Sequence, residues 1–273
     1  MGNQEQYARR MEKNIDDKLV IFDFMEKNGD LNILDFGCGS GVIFDYLNTL
    51  YPNSTLVGFD KSKFMIERAK EKHPNGIFLL TFEELDSFIK DNKRFDYIIL
   101  NSILHEIYSY ENRFDSVIGL LKKLSEYLED NGKFIIRDGI LDTESVGNMD
   151  EIEKFELNNL KEAEMFLEKY TKLSPFPNNL SIQDGHITGL WHEVREFINK
   201  YTWGFESLYR ESQEIVNFAS KEMYQEIFNK AGFKIEKILL ISQEDFFSHL
   251  KKIVRIGNKR WKTKIVFSAI KNI

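Results

Sequence analysis

Short apolar runs alternate with amphipathic stretches over the first half of the chain, and that alternation limits the fold more than any single residue does. Runs such as Tyr97-Ile98-Ile99-Leu100 are hydrophobic without interruption, as expected of strands buried on both faces of a parallel sheet wrapped by helices. The pattern predicts strands at 32–36, 55–59, 76–80, 97–100 and 133–137, with helices at 42–50, 63–72, 82–90 and 113–128 between them. The rhythm breaks over 142–215, which holds charged helix-like segments, a Ser174-Pro175-Phe176-Pro177-Asn178 turn and a group of Trp191, Tyr201 and Trp203, but no clear strand. It resumes with a helix at 221–230, opened by Ser220 as N-cap and closed by Ala231-Gly232, then strands at 233–241 and 264–269. No helix is expected between these last two strands, so they should be antiparallel neighbours.

The expected class is therefore α/β: a doubly wound, mostly parallel seven-stranded sheet with an antiparallel last strand, plus a helical insertion after the fifth strand. Residues 1–30 form an N-terminal helical cap, 31–140 and 216–273 the core, and 141–215 the insertion, a candidate substrate cap. The N-terminal helix rests on an apolar stripe of Tyr7, Met11, Ile15, Leu19, Phe22 and Met25. In a chain of 273 residues, 42% hydrophobic, there is enough apolar surface for one substantial core. A single cysteine, Cys38, excludes an internal disulfide framework, and the polar start and the lack of an apolar run of spanning length point to a cytoplasmic protein.

The first predicted strand runs into Ile33-Leu34-Asp35-Phe36-Gly37-Cys38-Gly39-Ser40-Gly41. Three glycines let the backbone turn tightly and let a ligand lie against it at the carboxyl edge of the sheet. Val42 stands where a dinucleotide fingerprint needs its third glycine, and the Asp35 carboxylate suits a ligand carrying an ammonium group better than a pyrophosphate. Cys38 reads as a small side chain within the turn. Asp60 closes the second strand, where a carboxylate can accept from two vicinal ribose hydroxyls.

Asp35, the glycines and Asp60 together resemble the class I S-adenosylmethionine-dependent methyltransferases. Phe95 to Leu100 followed by Leu104-His105-Glu106 is similar to that family's fourth-strand segment, Gly132-Lys133-Phe134-Ile135-Ile136 to its fifth strand, and Ala231-Gly232-Phe233 to the turn before its sixth. The resemblance implies an enzyme that takes S-adenosylmethionine as methyl donor and leaves S-adenosylhomocysteine. It implies cofactor contacts at Asp35, Gly37, Cys38, Gly39, Gly41, Asp60, Lys61, Thr81, Phe82 and Asn101. Many members carry an acidic residue where this chain has Thr81, so the adenine contacts depart from the pattern, with Phe82 and Glu83 as candidates.

Methyl transfer from a sulfonium needs alignment and water exclusion before it needs acid–base chemistry. Candidates for a base at the strand ends are His105, Glu106 and Asp138, and for acceptor binding Tyr7, Arg137, Trp203 and Arg210, with Glu206 and Glu211 nearby in the insertion. Asn101 is not followed by the Pro-Pro-aromatic sequence of amino-methylating nucleic-acid enzymes. His186 and His192 lack the spacing of a metal pair, so no metal is expected. The chain carries −7 overall, yet 249–264 holds seven basic residues and no acidic one, leaving −14 for the rest. Lys251, Lys252, Arg255, Lys259 and Arg260 in that segment suggest an anionic acceptor, or RNA, at the substrate mouth, or a solvated edge. The expected function is methyl transfer to an O or N atom of a small molecule. Competing readings are an RNA or nucleotide methyltransferase, a non-catalytic adenosyl-ligand or partner-binding protein, and an NAD-dependent oxidoreductase, which Asp35 and Val42 disfavour.

Overall fold

The computed structural model describes residues 5, 15–26, 29–91 and 94–272. Tyr7 and most of the expected N-terminal helix lie outside the described residues. The part of that segment that is described is a short helix α1 (Asp16–Leu19) and a 3-10 turn (Val20–Phe24), whose Ile21, Phe22 and Phe24 are buried against one face of the main sheet.

The core then alternates as the hydrophobic pattern requires: β1 (Asn32–Phe36), α2 (Phe44–Leu50), β2 (Thr55–Phe59), α3 (Lys63–Lys72), β3 (Ile77–Leu79), α4 (Phe82–Asp91), β4 (Phe95–Asn101), α5 (Leu104–Tyr110), α6 (Arg113–Ser125) and β5 (Leu128–Gly139). After the insertion come α10 (Lys221–Lys230), β9 (Phe233–Ile241) and β11 (Lys264–Lys271). The strands order as β3-β2-β1-β4-β5-β11-β9, with β11 antiparallel to both neighbours and the pairs from β3 to β5 parallel. Apolar clusters cover both faces, Leu34, Ile98, Phe134 and Phe267 on one, Ile33, Tyr97, Ile99 and Val266 on the other. The order reverses between β1 and β4, the switch point at which open α/β sheets bind ligands beyond their carboxyl ends. Ser220 caps α10 as expected, accepting from the Met223 N–H at 3.3 Å.

Two expectations need correction. First, the insertion is not purely helical. Besides α7 (Leu160–Leu173), α8 (Trp191–Thr202) and α9 (Leu208–Glu211), it contains β6 (Ile152–Leu157), β7 (Ser181–Gln183) and β8 (His186–Leu190). These strands were hidden by polarity: β6 alternates, but its inward positions are Glu153, Phe155 and Leu157, and its outward face begins with Ile152, 60% exposed. Glu153 is tolerated inside because Arg195 meets it with two bonds of 2.9 and 3.1 Å and Lys259 pairs with it as well. Second, β9 and β11 are antiparallel neighbours but are not directly joined; α11 (Glu244–Ile253) and a two-residue strand β10 (Val254–Arg255) lie between them. β10 pairs with β6, giving a second sheet ordered β10-β6-β8-β7. Phe247, Leu250, Val254, Ile256 and Trp261 pack with Phe155, Phe166, Phe197 and Tyr201 in that layer's own core. The cap is thus assembled from two stretches of chain far apart in sequence.

Gly139 marks the junction of core and cap. A Cβ there would lie 2.1 Å from the Val216 carbonyl oxygen, so only glycine lets the returning chain cross the end of β5. The Gly139 carbonyl accepts from Tyr224 Oη at 2.8 Å.

Candidate active site

The glycine turn leaves β1 with φ of +82°, +53° and +75° at Gly37, Gly39 and Gly41. These are left-handed conformations that side chains disfavour. At Gly39 an added Cβ would meet nothing within 4 Å, so the turn offers open space where the backbone can be approached. Gly37 and Cys38 donate to the Phe59 carbonyl at 2.7 and 3.0 Å, which ties the turn to the end of β2. Asp60 strengthens the tie: one carboxylate oxygen accepts from Gly39 N at 2.9 Å and the other from Ser62 N at 2.8 Å. Each oxygen keeps a further lone pair for a hydroxyl. Burial pushes Asp60 up, against the opposing pull of the Ser62 and Gly39 N–H groups, Lys61 and Arg210.

Asp35 is buried beneath this turn, and its carboxyl is pushed up to about 7, first by burial and then by Asp60, with Lys18 acting the other way. A buried carboxylate of this kind fits an ammonium group. Cys38 is buried, and burial together with Asp35 and Asp60 drives its thiol far up, so it is an inert wall of the turn. His73, which the sequence did not single out, bonds the Gly41 carbonyl through Nε2 at 3.0 Å and braces the turn from the end of α3.

Beyond β3, Thr81 forms a capping box with Glu84: Thr81 Oγ1 accepts from the Glu84 N–H, and the Glu84 carboxylate accepts from the Leu80 and Thr81 N–H groups. The side chain at the matching position of the family pattern is thus committed to opening α4. Phe82 faces Phe36 and Phe59, with ring centroids at 5.9 and 5.1 Å, and Phe36 stacks on Phe59 at 4.6 Å. The three rings form one apolar group at the ends of β1 and β2 and the start of α4.

At the ends of β4 and β5 the structure brings together His105, Glu106 and Asp138 with residues from the cap. His105 Nδ1 lies 2.7 Å from Asp138 Oδ1, and Asp138 also accepts from the N–H groups of Leu104, His105 and Gly139. Burial opposes ionisation of Asp138, but His105, Lys264 and the Gly139 N–H outweigh it and hold the carboxyl below its ordinary range. An ionised carboxylate only accepts, so the proton between the two sits on Nδ1. Burial lowers His105, and Asp138, Glu214 and Glu106 overcome this and raise it above 6.5. Arg210 reaches down from α9, its Nη2 2.8 Å from Glu106 and its Nε 3.1 Å from Glu214, to which Tyr110 Oη also donates at 3.0 Å. Glu214, absent from the candidates read in sequence, belongs to this cluster. Its only prior signal is its spacing four residues after Arg210.

Other candidates fall elsewhere. Arg137 is buried and braces the strand ends, donating to Asn101 Oδ1 and Ser102 Oγ at 3.4 and 3.1 Å. Ser102 itself has a φ of +62°, a strained backbone position of the sort that collects at active sites. Asn101 is held by Arg137 and by Ser102 Oγ. Lys61 is exposed, its Nζ 5.9 Å from the Tyr110 ring centre. Of the insertion aromatics, Tyr201 is cap core, whereas Trp203 and Tyr209 are 45% and 70% exposed. The basic segment is built largely into the cap: Arg255 pairs with Glu156 at 2.8 Å, Lys259 with Glu153, and Arg260 lies over the Phe247 ring at 4.6 Å. Lys251 and Lys252 are exposed at the end of α11. Among the described residues, no group of His, Cys, Asp and Glu side chains has the geometry to hold a metal ion, and no helix is long and apolar enough to cross a membrane.

A sheet ordered β3-β2-β1-β4-β5-β11-β9, with a glycine turn at its switch point between Asp35 and Asp60, is the architecture of a class I S-adenosylmethionine-dependent methyltransferase. The methyltransferase-domain family profile matches residues 27–232, and the chain belongs to that family. Malonyl-[acyl-carrier protein] O-methyltransferase 1 of Ilyobacter polytropus is 32% identical over 120 residues, 43% of either chain. The ribosomal RNA small subunit methyltransferase C of Haemophilus ducreyi is 30% identical over 105 residues, 38% of this chain and 31% of its own. The match thus spans under half the length of these curated relatives. Among solved structures, the plantazolicin methyltransferase BpumL, crystallised with a desmethyl plantazolicin analogue and S-adenosylhomocysteine, shares the fold at a TM-score of 0.54 and 16% identity, covering 100% of this chain and 90% of its own.

Proposed function

We propose that this protein transfers a methyl group from S-adenosylmethionine to an oxygen atom of a small molecule held between the carboxyl edge of the main sheet and the cap. The observation that carries this reading is the His105–Asp138 pair at the ends of β4 and β5, covered by Arg210 and Glu214. The O-methyltransferase among the curated relatives supports an oxygen acceptor. On this reading residues 31–140 and most of 216–273 are the catalytic core, and 141–215 together with α11, β10 and Trp261 form the substrate cap.

When bound, S-adenosylmethionine supplies a methyl group activated on a sulfonium. Asp35 would hold its ammonium and Asp60 its ribose hydroxyls. The glycine turn would line its methionine part, and Phe82, Phe36 and Phe59 would form the wall beside its adenine. His105 would face the acceptor oxygen, its ring fixed by Asp138. Tyr110 and Arg210, both bonded to Glu214, would border the mouth, with Trp203 a further candidate from the cap, which would exclude water from the sulfonium. The exposed Lys251, Lys252 and Arg260 lie outside this cluster, so an anionic carrier or RNA would meet them at a distance from His105.

Calorimetric titration with S-adenosylmethionine, S-adenosylhomocysteine and NAD tests the reading. The adenosyl ligands should bind and NAD should not. Asp60→Ala should weaken S-adenosylhomocysteine by about 1–3 kcal/mol through loss of charge-assisted hydrogen bonds. Binding of NAD without the adenosyl ligands would overturn the proposal.

A further inference from the structure

In the cluster at the cap junction, one histidine meets a buried carboxylate at each ring nitrogen. His105 Nδ1 is 2.7 Å from Asp138 Oδ1, and Nε2 is 3.7 Å from Glu214 Oε2; the two carboxyl side chains are 0% and 4% exposed. A neutral imidazole has one donor and one acceptor nitrogen, so it would aim a lone pair at one of these oxygens. Only the imidazolium presents an N–H to both. Glu214 is itself held as a carboxylate: its Oε1 accepts from Tyr110 and Arg210, and although burial opposes ionisation, His105, Arg210 and Lys200 outweigh it and lower its pKa.

We propose that Glu214, delivered by the cap, is a positioning residue that holds His105 as an imidazolium, and that the acceptor is an oxygen acid arriving as its anion and oriented by Nε2–H. The proposal rests on the methyl-transfer reading above and narrows it. At 3.7 Å Nε2 is beyond hydrogen-bond distance of Glu214, so the carboxylate sets the charge of the ring without taking its donor. Asp138 from β5, Glu106 from α5 and Glu214 from the cap face this ring with negative charge; Arg210 from α9 pairs with Glu106 and Glu214, Lys264 from β11 acts on Asp138, and Lys200 from α8 acts on Glu214. Tyr110 is neutral, its hydroxyl pushed up by burial and Glu214. A carboxylate or acidic phenolate accepting from Nε2–H brings a negative charge that the imidazolium and the donor's positive sulfur offset. An oxygen lone pair of the acceptor forms the new O–C bond as the S–C bond breaks, and sulfur keeps that electron pair. The anion and the sulfonium both become neutral, and no proton moves to or from His105.

The test is a nitrogen-detected titration of the protein's five histidines with S-adenosylhomocysteine present, His105 being assigned with H105Q. His105 should titrate above the 6.5 of an ordinary histidine. Glu214→Gln should lower its midpoint by about one pH unit, Glu214→Asp should restore most of that, and both should keep the affinity for S-adenosylhomocysteine. A wild-type midpoint at or below 6.5, or one that Glu214→Gln leaves in place, overturns the proposal. In a second arm, transfer from methyl-labelled S-adenosylmethionine to benzoate and phenylacetate is compared with benzyl alcohol and 2-phenylethanol. Methylation of the acids, at a rate that declines as pH rises through the His105 midpoint, supports it. Methylation of the alcohols at a rate rising through that midpoint would make His105 a base and overturn it, while leaving the methyltransferase reading intact. Failure of S-adenosylhomocysteine to bind would instead remove that reading.

Discussion

The main sheet and the cap are built on opposite terms. In the main sheet, side chains facing inward are apolar and the buried charges, Asp35, His105, Arg137 and Asp138, gather toward the carboxyl edge. In the cap, charge is part of the interior: Arg195 lies between the Trp191 and Trp261 rings at 5.0 and 4.7 Å and is locked to Glu153, while the fully buried Lys200 pairs with Glu196 at 2.8 Å. A nonpolar interior tolerates loss of any one polar contact. An interior that depends on paired charges does not, because removing one partner strands the other. The chemistry proposed for the protein sits where the two meet.

The largest expected effect breaks the cap alone. Glu153→Ala leaves Arg195 and Lys259 without their shared carboxylate and should cost about 3–5 kcal/mol. By limited proteolysis the loss should fall on the cap, with S-adenosylhomocysteine still binding the core. A uniform loss across both regions would show that they unfold as one unit. Next comes the junction. Gly139→Ala forces a methyl group into the Val216 carbonyl and should cost about 1–3 kcal/mol or more, read from the urea midpoint. An unchanged midpoint would mean that the chain crossing can shift without penalty.

A smaller effect separates the regions by pH. Asp35 is raised from 3.8 to about 7 in the folded state. Its contribution to stability is therefore complete below 3.8 and is lost as pH rises through about 7. An ammonium group favours the ionised form, so S-adenosylhomocysteine should bind more tightly as pH rises through about 7 and should displace a proton, visible as a binding heat that depends on the buffer. Asp35→Asn should abolish both effects. The smallest effect belongs to a cap of a different sort, the capping box of α4. Thr81→Ala should cost about 1 kcal/mol of stability and leave adenosyl-ligand affinity unchanged, because the Thr81 hydroxyl is committed to the Glu84 N–H. A matching loss of affinity would return Thr81 to the adenine site.

The difference between the regions also explains what could be read in advance. Buried parallel strands such as β4 declare themselves through unbroken hydrophobicity, and the bounds of β1, β2 and α3 agree with the expected ones. β6 and β8 did not declare themselves, because an inward Glu153 and a glycine at position 189 blur the two-residue period that marks a half-buried strand. α11 was obscured by the basic run that overlaps its end, which reads as a solvated ribbon until Arg255 and Lys259 are seen to answer Glu156 and Glu153 on β6. Arg137 read as a residue for substrate because it ends a strand, yet it turns inward to brace Asn101 and Ser102.

What the sequence determined by itself was local: strand and helix periodicity, the glycine turn with Asp35 before it and Asp60 after the next strand, and from these the class of cofactor. Periodicity and turn chemistry act over a few residues, so neighbouring residues suffice to specify them. What only the tertiary structure decided was which distant groups meet. Glu214 lies 76 residues beyond Asp138 and reaches His105 only because the cap folds back over the sheet edge, where Gly139 lets the chain pass. The carboxylates that raise the pKa of that histidine come from three separate segments of the chain, and their meeting becomes readable only once core and cap are packed together.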